Sequence, residues 1–352
     1  MTIDSYGGDV DLIATRDEIL RVALQLRLAA EELTAVGTLE TLLADPIGQL
    51  QFRIAASGIY SKLQELHNRL HIAAEGYFTT EAQIHRRFEF AFIPELARLV
   101  LGAGSLLGWK LDSGVKVELQ SEKSTLSPDS VTDVLNRLWR ISDDSTIGID
   151  IFEGTAGRTA LVYVPGTQSI SFGDSQNPLD MASNIEAMAG SSKAASERAV
   201  LLAMQEAGIT ARDEVIFVGH SQGGMVVGNL AANSGPYMAA GLIAFGAPIA
   251  QLAIKKIPVM AVEHVNDPVP NISGKANPLK PNWVTIQRTS SAKESEALLH
   301  SHSLKSYKNT TEEIDKSGSK GIKSVRTDLL KKLEGKRIGR SLDFEISRIT
   351  KS

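Results

Sequence analysis

Residues 215–224 read Val-Ile-Phe-Val-Gly-His-Ser-Gln-Gly-Gly and are the most informative part of the sequence. The first four form an apolar run typical of a buried strand, and residues 223–232 have the composition of a closely packed helix. Between them, Gly219-x-Ser221-x-Gly223 indicates a tight turn with a strained central residue, in which the glycines avoid collisions with neighbouring backbone. The pattern predicts that Ser221 stands exposed above the edge of a sheet.

Strand and helix patterns alternate on both sides of this turn. Predicted strands cover 115–119, 147–152, 161–164, 214–218, 241–245, 259–262 and 283–287, and predicted helices cover 127–140, 196–207 and 223–232. No charged residue occurs between Val215 and Ile254, which indicates central strands covered by helices on both faces. The sequence therefore predicts an α/β domain over residues 111–310, with a mostly parallel sheet flanked by helices.

Ser221 needs two further side chains to act as a nucleophile. A hydroxyl is poorly reactive until a histidine takes its proton and an acid orients that histidine. Asp267 follows the predicted strand 259–262, and sites in such sheets are built at the carboxyl ends of strands. Asp267 is therefore the candidate acid, with Glu263 as the less favoured substitute.

The candidate bases are His300 and His302, which follow the last predicted strand of the sheet. Only one of them can take the proton of Ser221, and their spacing leaves the choice open. His264 is expected to pack beside the loop that carries the acid.

Several short motifs occur in a fixed order along the chain. They are Pro165-Gly166-Thr167, Asn177-Pro178-Leu179-Asp180, Gly219 to Gly224, Phe245-Gly246-Ala247-Pro248, Asp267-Pro268-Val269-Pro270 and His302. Together they resemble serine esterases and lipases of the α/β-hydrolase superfamily, and the Phe-Gly-x-Pro and Asp-x-Val-Pro elements are closest to class 3 lipases. The resemblance covers about residues 113–308.

This resemblance implies an α/β-hydrolase fold and hydrolysis of carboxylic esters through an acyl-enzyme on Ser221. His302 would be the base, because its spacing to Tyr307 resembles that of the catalytic histidine in related hydrolases. Asp267 would orient it, and neither a metal nor an organic cofactor would be needed. Asp180 and the loop 169–178 are expected to lie at the rim of the substrate pocket.

Acyl transfer also requires two hydrogen-bond donors directed at the developing oxyanion. One is usually the backbone N–H after the nucleophile, which is that of Gln222. The second is expected in the loop after the predicted strand 161–164, where Thr167 is the first choice and Gln168 the substitute. A simple Pro-Gly turn is the alternative interpretation of this loop.

Residues 1–110 are predicted to form an α-helical hairpin domain. Apolar residues recur at helical spacing in two segments, about 12–33 and 59–77, and Asp45-Pro46-Ile47-Gly48 separates them. A hairpin followed by Tyr77-x-x-x-Glu81 resembles type VII-secreted proteins of the WxG type, with Asp-Pro-Ile-Gly in place of their Trp-x-Gly turn. The hairpin is either an export or partner-binding module or a plain structural element that packs on the chain or on a second copy.

Residues 311–352 are predicted to form a basic, helical tail. The chain as a whole carries a net charge of -4, but basic residues outnumber acidic ones from residue 301 onward. Acidic residues interrupt the basic ones, and no aromatic residue lies between Tyr307 and Phe344 for base stacking, so no nucleic-acid partner is expected.

Composition excludes several other classes of protein. The absence of cysteine rules out disulfides, thiolate metal sites and a cysteine nucleophile. No transmembrane segment and no Sec signal are predicted, so the expected location is the cytoplasm or outside the cell by a non-Sec, type VII-like route.

The expected substrate is a small-molecule or lipid ester. An amidase or peptidase on the same fold, and an interaction protein that uses a hydrolase scaffold, are the alternatives.

Overall fold

The computed structural model describes two parts of the chain at the level of individual elements. These are residues 3–8 and residues 114–349, except 143–144, 156, 167–175, 180–193, 268, 274 and 291–299, together with a few positions between 24 and 65. By contacts the chain divides into two units, Asp9–Arg87 and a larger unit of Met1–Gly8 with Phe88–Ser352.

In its described residues, the larger unit is built on one nine-stranded sheet. Its strands are β1 (Asp4–Gly7), β2 (Gly114–Leu126), β3 (Thr146–Gly154), β4 (Gly157–Val164), β5 (Glu214–His220), β6 (Met238–Phe245), β7 (Val259–His264), β8 (Trp283–Arg288) and β9 (Ile338–Ile349). Its helices are α1 (Val131–Arg140), α2 (Ala195–Glu206), α3 (Gln222–Ala232), α4 (Leu304–Lys316) and α5 (Lys320–Leu330), with short 3-10 turns at Pro270–Ser273 and Lys331–Leu333.

The strand order across the sheet is β1-β8-β7-β6-β5-β4-β3-β9-β2. The five strands from β4 to β8 pair in parallel, and the pairings outside them are antiparallel. The sheet is thus mixed, and the expected mostly parallel arrangement describes only its centre. β3 and β4 are separated by two residues, and a connection this short allows only antiparallel pairing.

Helices cover both faces of the sheet. Side chains along each central strand point alternately to opposite sides, so each strand contributes to the apolar core on both faces. On β5, Val215 and Phe217 belong to one apolar cluster, which includes residues of α2 and α3. Ile216 and Val218 belong to a second cluster, which includes residues of α1, α4 and α5. The uncharged stretch seen in the sequence is therefore the two-sided core of the sheet. No helix in the part of the chain described above is long and apolar enough to cross a membrane.

The described residues of the N-terminal region are helical only in part. Residues Asp4–Gly7 form β1, which pairs antiparallel with β8 at one edge of the sheet, so the predicted helical domain does not begin at residue 1. The described positions within Asp9–Arg87, which are 24, 27, 28, 57, 60–62, 64 and 65, are all helical. The predicted hairpin connection at Asp45-Pro46-Ile47-Gly48 and the Tyr77-x-x-x-Glu81 motif lie outside the described residues.

The predicted helical tail is wrong for residues 338–349. The helices α4 and α5 extend through 316 and 330, but β9 then pairs antiparallel with both β3 and β2 inside the sheet. Leu342, Phe344 and Ile346 alternate along β9 and are buried in the cluster that packs against α2 and α3. Residues 338–349 carry two arginines and two acidic residues and so have no net charge, but the basic residues around them and the charged side chains between the apolar ones concealed a strand with period 2.

We expect Phe344→Ala to lower the free energy of unfolding by about 3–5 kcal/mol, because it opens a cavity beneath the sheet. Phe344 is 1% exposed, whereas its neighbour Glu345 is exposed. Glu345→Ala is the matched control, and it should change the stability by no more than about 0.5 kcal/mol. Urea unfolding monitored by circular dichroism measures both changes. Equal stability of the two variants would contradict the placement of β9 in the core.

Candidate active site

Ser221 lies at the turn between β5 and α3 in a backbone conformation that is rare for residues with a side chain. Its φ is 53° and its ψ is -123°. The conformation is held from both sides, since the Ser221 N–H donates to the carbonyl of Phe245 at 2.9 Å and the Ser221 carbonyl accepts from the Met225 N–H at 3.2 Å. This is the strained turn that the sequence predicts.

The flanking glycines allow this turn because their neighbours leave no room for a side chain. A Cβ atom on Gly219 would lie 2.5 Å from the backbone of Gly223. A Cβ atom on Gly223 would lie 2.1 Å from the carbonyl oxygen of Val164 and 2.2 Å from that of Pro165. Separations this short require the backbone itself to move, so both positions are restricted to glycine.

Ser221, His302 and Asp267 form one continuous chain of hydrogen bonds. The Oγ of Ser221 lies 2.8 Å from Nε2 of His302, and Nδ1 of His302 lies 2.7 Å from Oδ2 of Asp267. With the proton of His302 on Nδ1, that N–H donates to the carboxylate and Nε2 accepts from the serine hydroxyl. The structure therefore brings together the three residues that the sequence singles out.

Burial differs along this chain of hydrogen bonds. The side chain of Asp267 is fully buried, whereas that of His302 is 23% exposed. Ser221 keeps only 9% of its surface, so it is less exposed than the sequence predicts. One reason is the segment after β4, since a Cβ atom on Gly166 would lie 3.1 Å from Cβ of Ser221.

Asp267 is surrounded by donors that favour its ionised form. Besides His302, the hydroxyl of Tyr307 donates to Oδ2 at 2.8 Å, and the backbone N–H of Val269 donates to Oδ1 at 3.0 Å. Burial by itself would raise the pKa of Asp267, but these hydrogen bonds and the proximity of His302 outweigh it and lower the pKa. Asp267 is therefore a carboxylate at neutral pH.

The two runner-up residues do not join this chain. The carboxyl group of Glu263 instead accepts from Nδ2 of Asn277 at 2.6 Å and from Nε2 of Gln287 at 3.2 Å. Burial raises the pKa of Glu263 to about 7. The His300 carbonyl accepts from the N–H and hydroxyl of Ser303, and it is His302 that meets Asp267 and Ser221.

The predicted oxyanion donors are described only in part. Gln222 is buried and is the first residue of α3, so its backbone N–H lies at the end of the helix where the helix dipole favours negative charge. Its N–H is thus suited to bind an anion at the helix N-terminus. Thr167, Gln168 and Asp180 lie outside the described residues. Pro165 and Gly166 precede them, and the contact of Gly166 with Ser221 shows that this loop starts beside the serine.

Two further histidines contact the backbone next to His302, and sequence reasoning did not assign them this role. Nε2 of His220 lies 2.8 Å from the carbonyl oxygen of His302, and Nδ1 of His264 lies 2.6 Å from that of Ser301. Burial lowers the pKa of His220 to about 3 and that of His264 to about 4. His264 was expected beside the acid loop, and it stacks there on Tyr307.

Comparison of the chain with models of known protein families, with curated proteins and with solved structures finds no match. The chemical interpretation of this site therefore rests on its own geometry.

We expect Gly223→Ala to destabilise the protein by about 1–3 kcal/mol, because the new methyl group collides with two backbone carbonyls. Gly318→Ala is the matched control, since a Cβ atom at residue 318 meets no atom within 4 Å. It should leave the free energy of unfolding within about 0.5 kcal/mol of the wild type. Urea unfolding of both variants tests the contact, and a stable Gly223→Ala protein would show that the turn is not confined as described.

We expect Glu263→Gln to gain stability relative to the wild type as the pH rises from 5 to 8. Folding raises the pKa of Glu263 from its ordinary value of 4.5 to about 7, so the folded state binds more protons than the unfolded state between these values. The wild type therefore loses stability across this range, by about 2 kcal/mol at this position, and Gln removes that loss.

Urea unfolding at several pH values measures the difference between the two proteins. Glu345→Gln, the same chemical change at an exposed position, is the matched control. A constant difference between Glu263→Gln and the wild type from pH 5 to 8 would contradict the raised pKa.

Proposed function

We propose that this protein is a serine hydrolase that cleaves carboxylic esters through an acyl-enzyme on Ser221. One observation carries the proposal: a buried carboxylate, a histidine and a serine at a strained strand-to-helix turn are linked by hydrogen bonds of 2.7 and 2.8 Å. A structural serine needs neither the strained backbone nor a histidine that is itself oriented by an ionised acid.

In the proposed reaction His302 acts first as a base and then as an acid. It takes the proton of the Ser221 hydroxyl as Oγ attacks the ester carbonyl carbon, and then gives this proton to the leaving alcohol. Water, activated in the same way, hydrolyses the resulting acyl-serine. Asp267 holds the tautomer in which Nε2 is free to accept, and it stabilises the positive charge that His302 gains.

The negative charge on the former carbonyl oxygen needs donors that are already in place. The N–H of Gln222 at the start of α3 has the required position next to the nucleophile. We assign the second donor to the loop that begins at Gly166, with Thr167 as the first choice and Gln168 as the alternative.

The arrangement of the sheet supports an α/β-hydrolase type of fold. Ser221 follows β5, Asp267 follows β7 and His302 follows β8, so the three residues come after three of the parallel strands, in the chain order Ser, Asp, His. This is the order found in α/β-hydrolases, where the serine stands on a Gly-x-Ser-x-Gly turn. The resemblance to class 3 lipases favours an ester, small or lipid, as the substrate.

We expect a fluorophosphonate probe to label Ser221 and the wild type to hydrolyse 4-nitrophenyl esters. Ser221→Ala and His302→Ala should each lower kcat by about a thousandfold or more, because nucleophile and base act as a unit. His300→Ala is the matched control and should leave kcat within about threefold of the wild type, since it changes a neighbouring histidine outside the hydrogen-bonded chain. Mass spectrometry locates the label, and absorbance of 4-nitrophenolate gives the rate.

The chemical class of the substrate is tested with matched compounds. Esters of increasing acyl length are compared with the corresponding 4-nitroanilides, and faster turnover of the esters is expected. Faster turnover of the anilides would assign the protein to the amidases. Folded wild-type protein that is neither labelled nor active would overturn the proposal and favour an interaction protein on a hydrolase scaffold.

A further inference from the structure

We infer that His220 and His264 are positioning residues, which fix the imidazole of His302 by hydrogen bonding to the backbone carbonyls of His302 and Ser301. The inference rests on the proposed function, because it assigns these residues a role in placing the proposed base.

Hydrogen bonds from two buried rings meet on consecutive residues. The carbonyl of Ser301 accepts from Nδ1 of His264 at 2.6 Å, and the carbonyl of His302 accepts from Nε2 of His220 at 2.8 Å. The hydroxyl of Ser301 also donates to the carbonyl of Asn266 at 3.0 Å. The side chain of His302 is 23% exposed, so packing covers its ring incompletely, and the contacts to its backbone add to the hydrogen bonds that the ring makes with Ser221 and Asp267.

Each ring connects the base to one of its two partners. His220 is the last residue of β5 and directly precedes Ser221, whereas His264 is the last residue of β7 and lies three residues before Asp267. The segment that carries His302 is thereby tied to the strand that carries the nucleophile and to the strand that carries the acid. These ties fix the two separations on which proton transfer depends, and a misplacement of about 1 Å can cost two orders of magnitude in rate.

The partners of both rings define their protons. A carbonyl oxygen can only accept, so His264 carries its proton on Nδ1 and His220 carries its proton on Nε2. Nε2 of His264 then accepts from the hydroxyl of Thr310 at 2.8 Å. Because burial lowers the pKa of both histidines to about 4 or below, both rings are neutral at pH 7.

Neutrality of the rings suits a positioning role. The centroid of the His220 ring lies 4.7 Å from that of His302. A positive charge at this separation would oppose the charge that His302 gains when it takes the proton of Ser221. A neutral ring can bind the backbone of His302 without this repulsion.

The ring of His264 also contacts the residue that supports the acid. It stacks on Tyr307 with centroids 3.9 Å apart and ring planes inclined by 4°. The hydroxyl of Tyr307 donates to Asp267 and accepts from the backbone N–H of His264 at 3.2 Å. Rotation of the His264 ring would therefore break its hydrogen bond to the Ser301 carbonyl and also its stacking on Tyr307, which donates to Asp267.

The geometry of the two rings allows a test with isosteric amides. The amide nitrogen of asparagine occupies nearly the position of Nδ1 of histidine, and that of glutamine nearly the position of Nε2. His264→Asn and His220→Gln therefore keep the donor at the carbonyl. His264→Gln and His220→Asn are the matched controls, because they keep a polar amide and place the donor wrongly.

We expect the two controls to lower kcat roughly 10- to 100-fold with KM within about twofold, since positioning of the base acts on the chemical step. The isosteric variants should recover most of the loss. Rates of fluorophosphonate labelling should follow the same order. If wild-type protein is labelled and His264→Gln and His220→Asn match its kcat, the positioning role is overturned while the proposed function stands.

A second measurement does not depend on activity. The Nδ1 proton of His302 bound to Asp267 gives its own low-field proton NMR signal, which we expect in the wild type and in the isosteric variants. The signal should shift or broaden in the two controls. If the wild type is neither labelled nor active and the signal still changes in the controls, positioning stands and the proposed function fails. An unchanged signal in both controls overturns the inference.

Thermal unfolding identifies variants that do not fold. If His264→Gln is one of them, Thr310→Val takes its place, because it removes the hydroxyl partner of the His264 ring. An unchanged His302 signal in folded Thr310→Val would then overturn the role of His264. His220→Gln and His220→Asn are compared separately, by the same proton NMR signal of His302.

Discussion

The close approach of the Gly223 backbone to the carbonyl oxygens of Val164 and Pro165 is the constraint on which the rest of the site depends. β4 and β5 pair in parallel with Val164 opposite Gly219, so the chain must turn into α3 directly over the end of β4. A Cβ atom at residue 223 would lie 2.1 Å from the first carbonyl, which leaves room for backbone only. At this helix start Ser221 takes a φ of 53°, and its hydroxyl lies 2.8 Å from Nε2 of His302.

A second glycine lets the acid reach the base. Gly246 follows β6, which lies between the strand of the serine and the strand of the acid, and its φ is 56°. A Cβ atom there would lie 2.8 Å from the hydroxyl of Tyr307 and 2.9 Å from Oδ2 of Asp267. The end of β6 therefore carries no side chain at Gly246, which leaves room for the carboxylate of Asp267 to reach His302. The packing of the strands and the geometry of the site thus both depend on glycine at residues 223 and 246, where the backbone lies closest to its neighbours.

Local patterns in the sequence predicted the centre of the sheet, the turn at Ser221 and the candidate acid Asp267, because those features depend on neighbouring residues, whereas the choice of His302 over His300 came from the resemblance to known hydrolases. The strand β9 was missed because its charged residues were weighed above the alternation of Leu342, Phe344 and Ile346, and β1 because four residues carry too little periodicity. The role of His220 and His264 could not be predicted, since their partners are backbone carbonyls of Ser301 and His302, which leave no trace in side-chain identity. His220 lies inside the Gly-x-Ser-x-Gly motif, but the motif does not indicate which group the His220 side chain contacts.

The two neighbouring carboxyl groups show how the environment selects the acid. Glu263 and Asp267 are both buried, yet burial raises the pKa of Glu263 to about 7 while hydrogen bonds lower that of Asp267. The donors to Glu263 described above are neutral amides, whereas Asp267 faces a histidine that becomes positive during the proposed reaction. One negative charge beside His302 stabilises the imidazolium as it forms. With a pKa of about 7, Glu263 is only partly ionised at neutral pH, so Asp267 is the acid that carries the full negative charge.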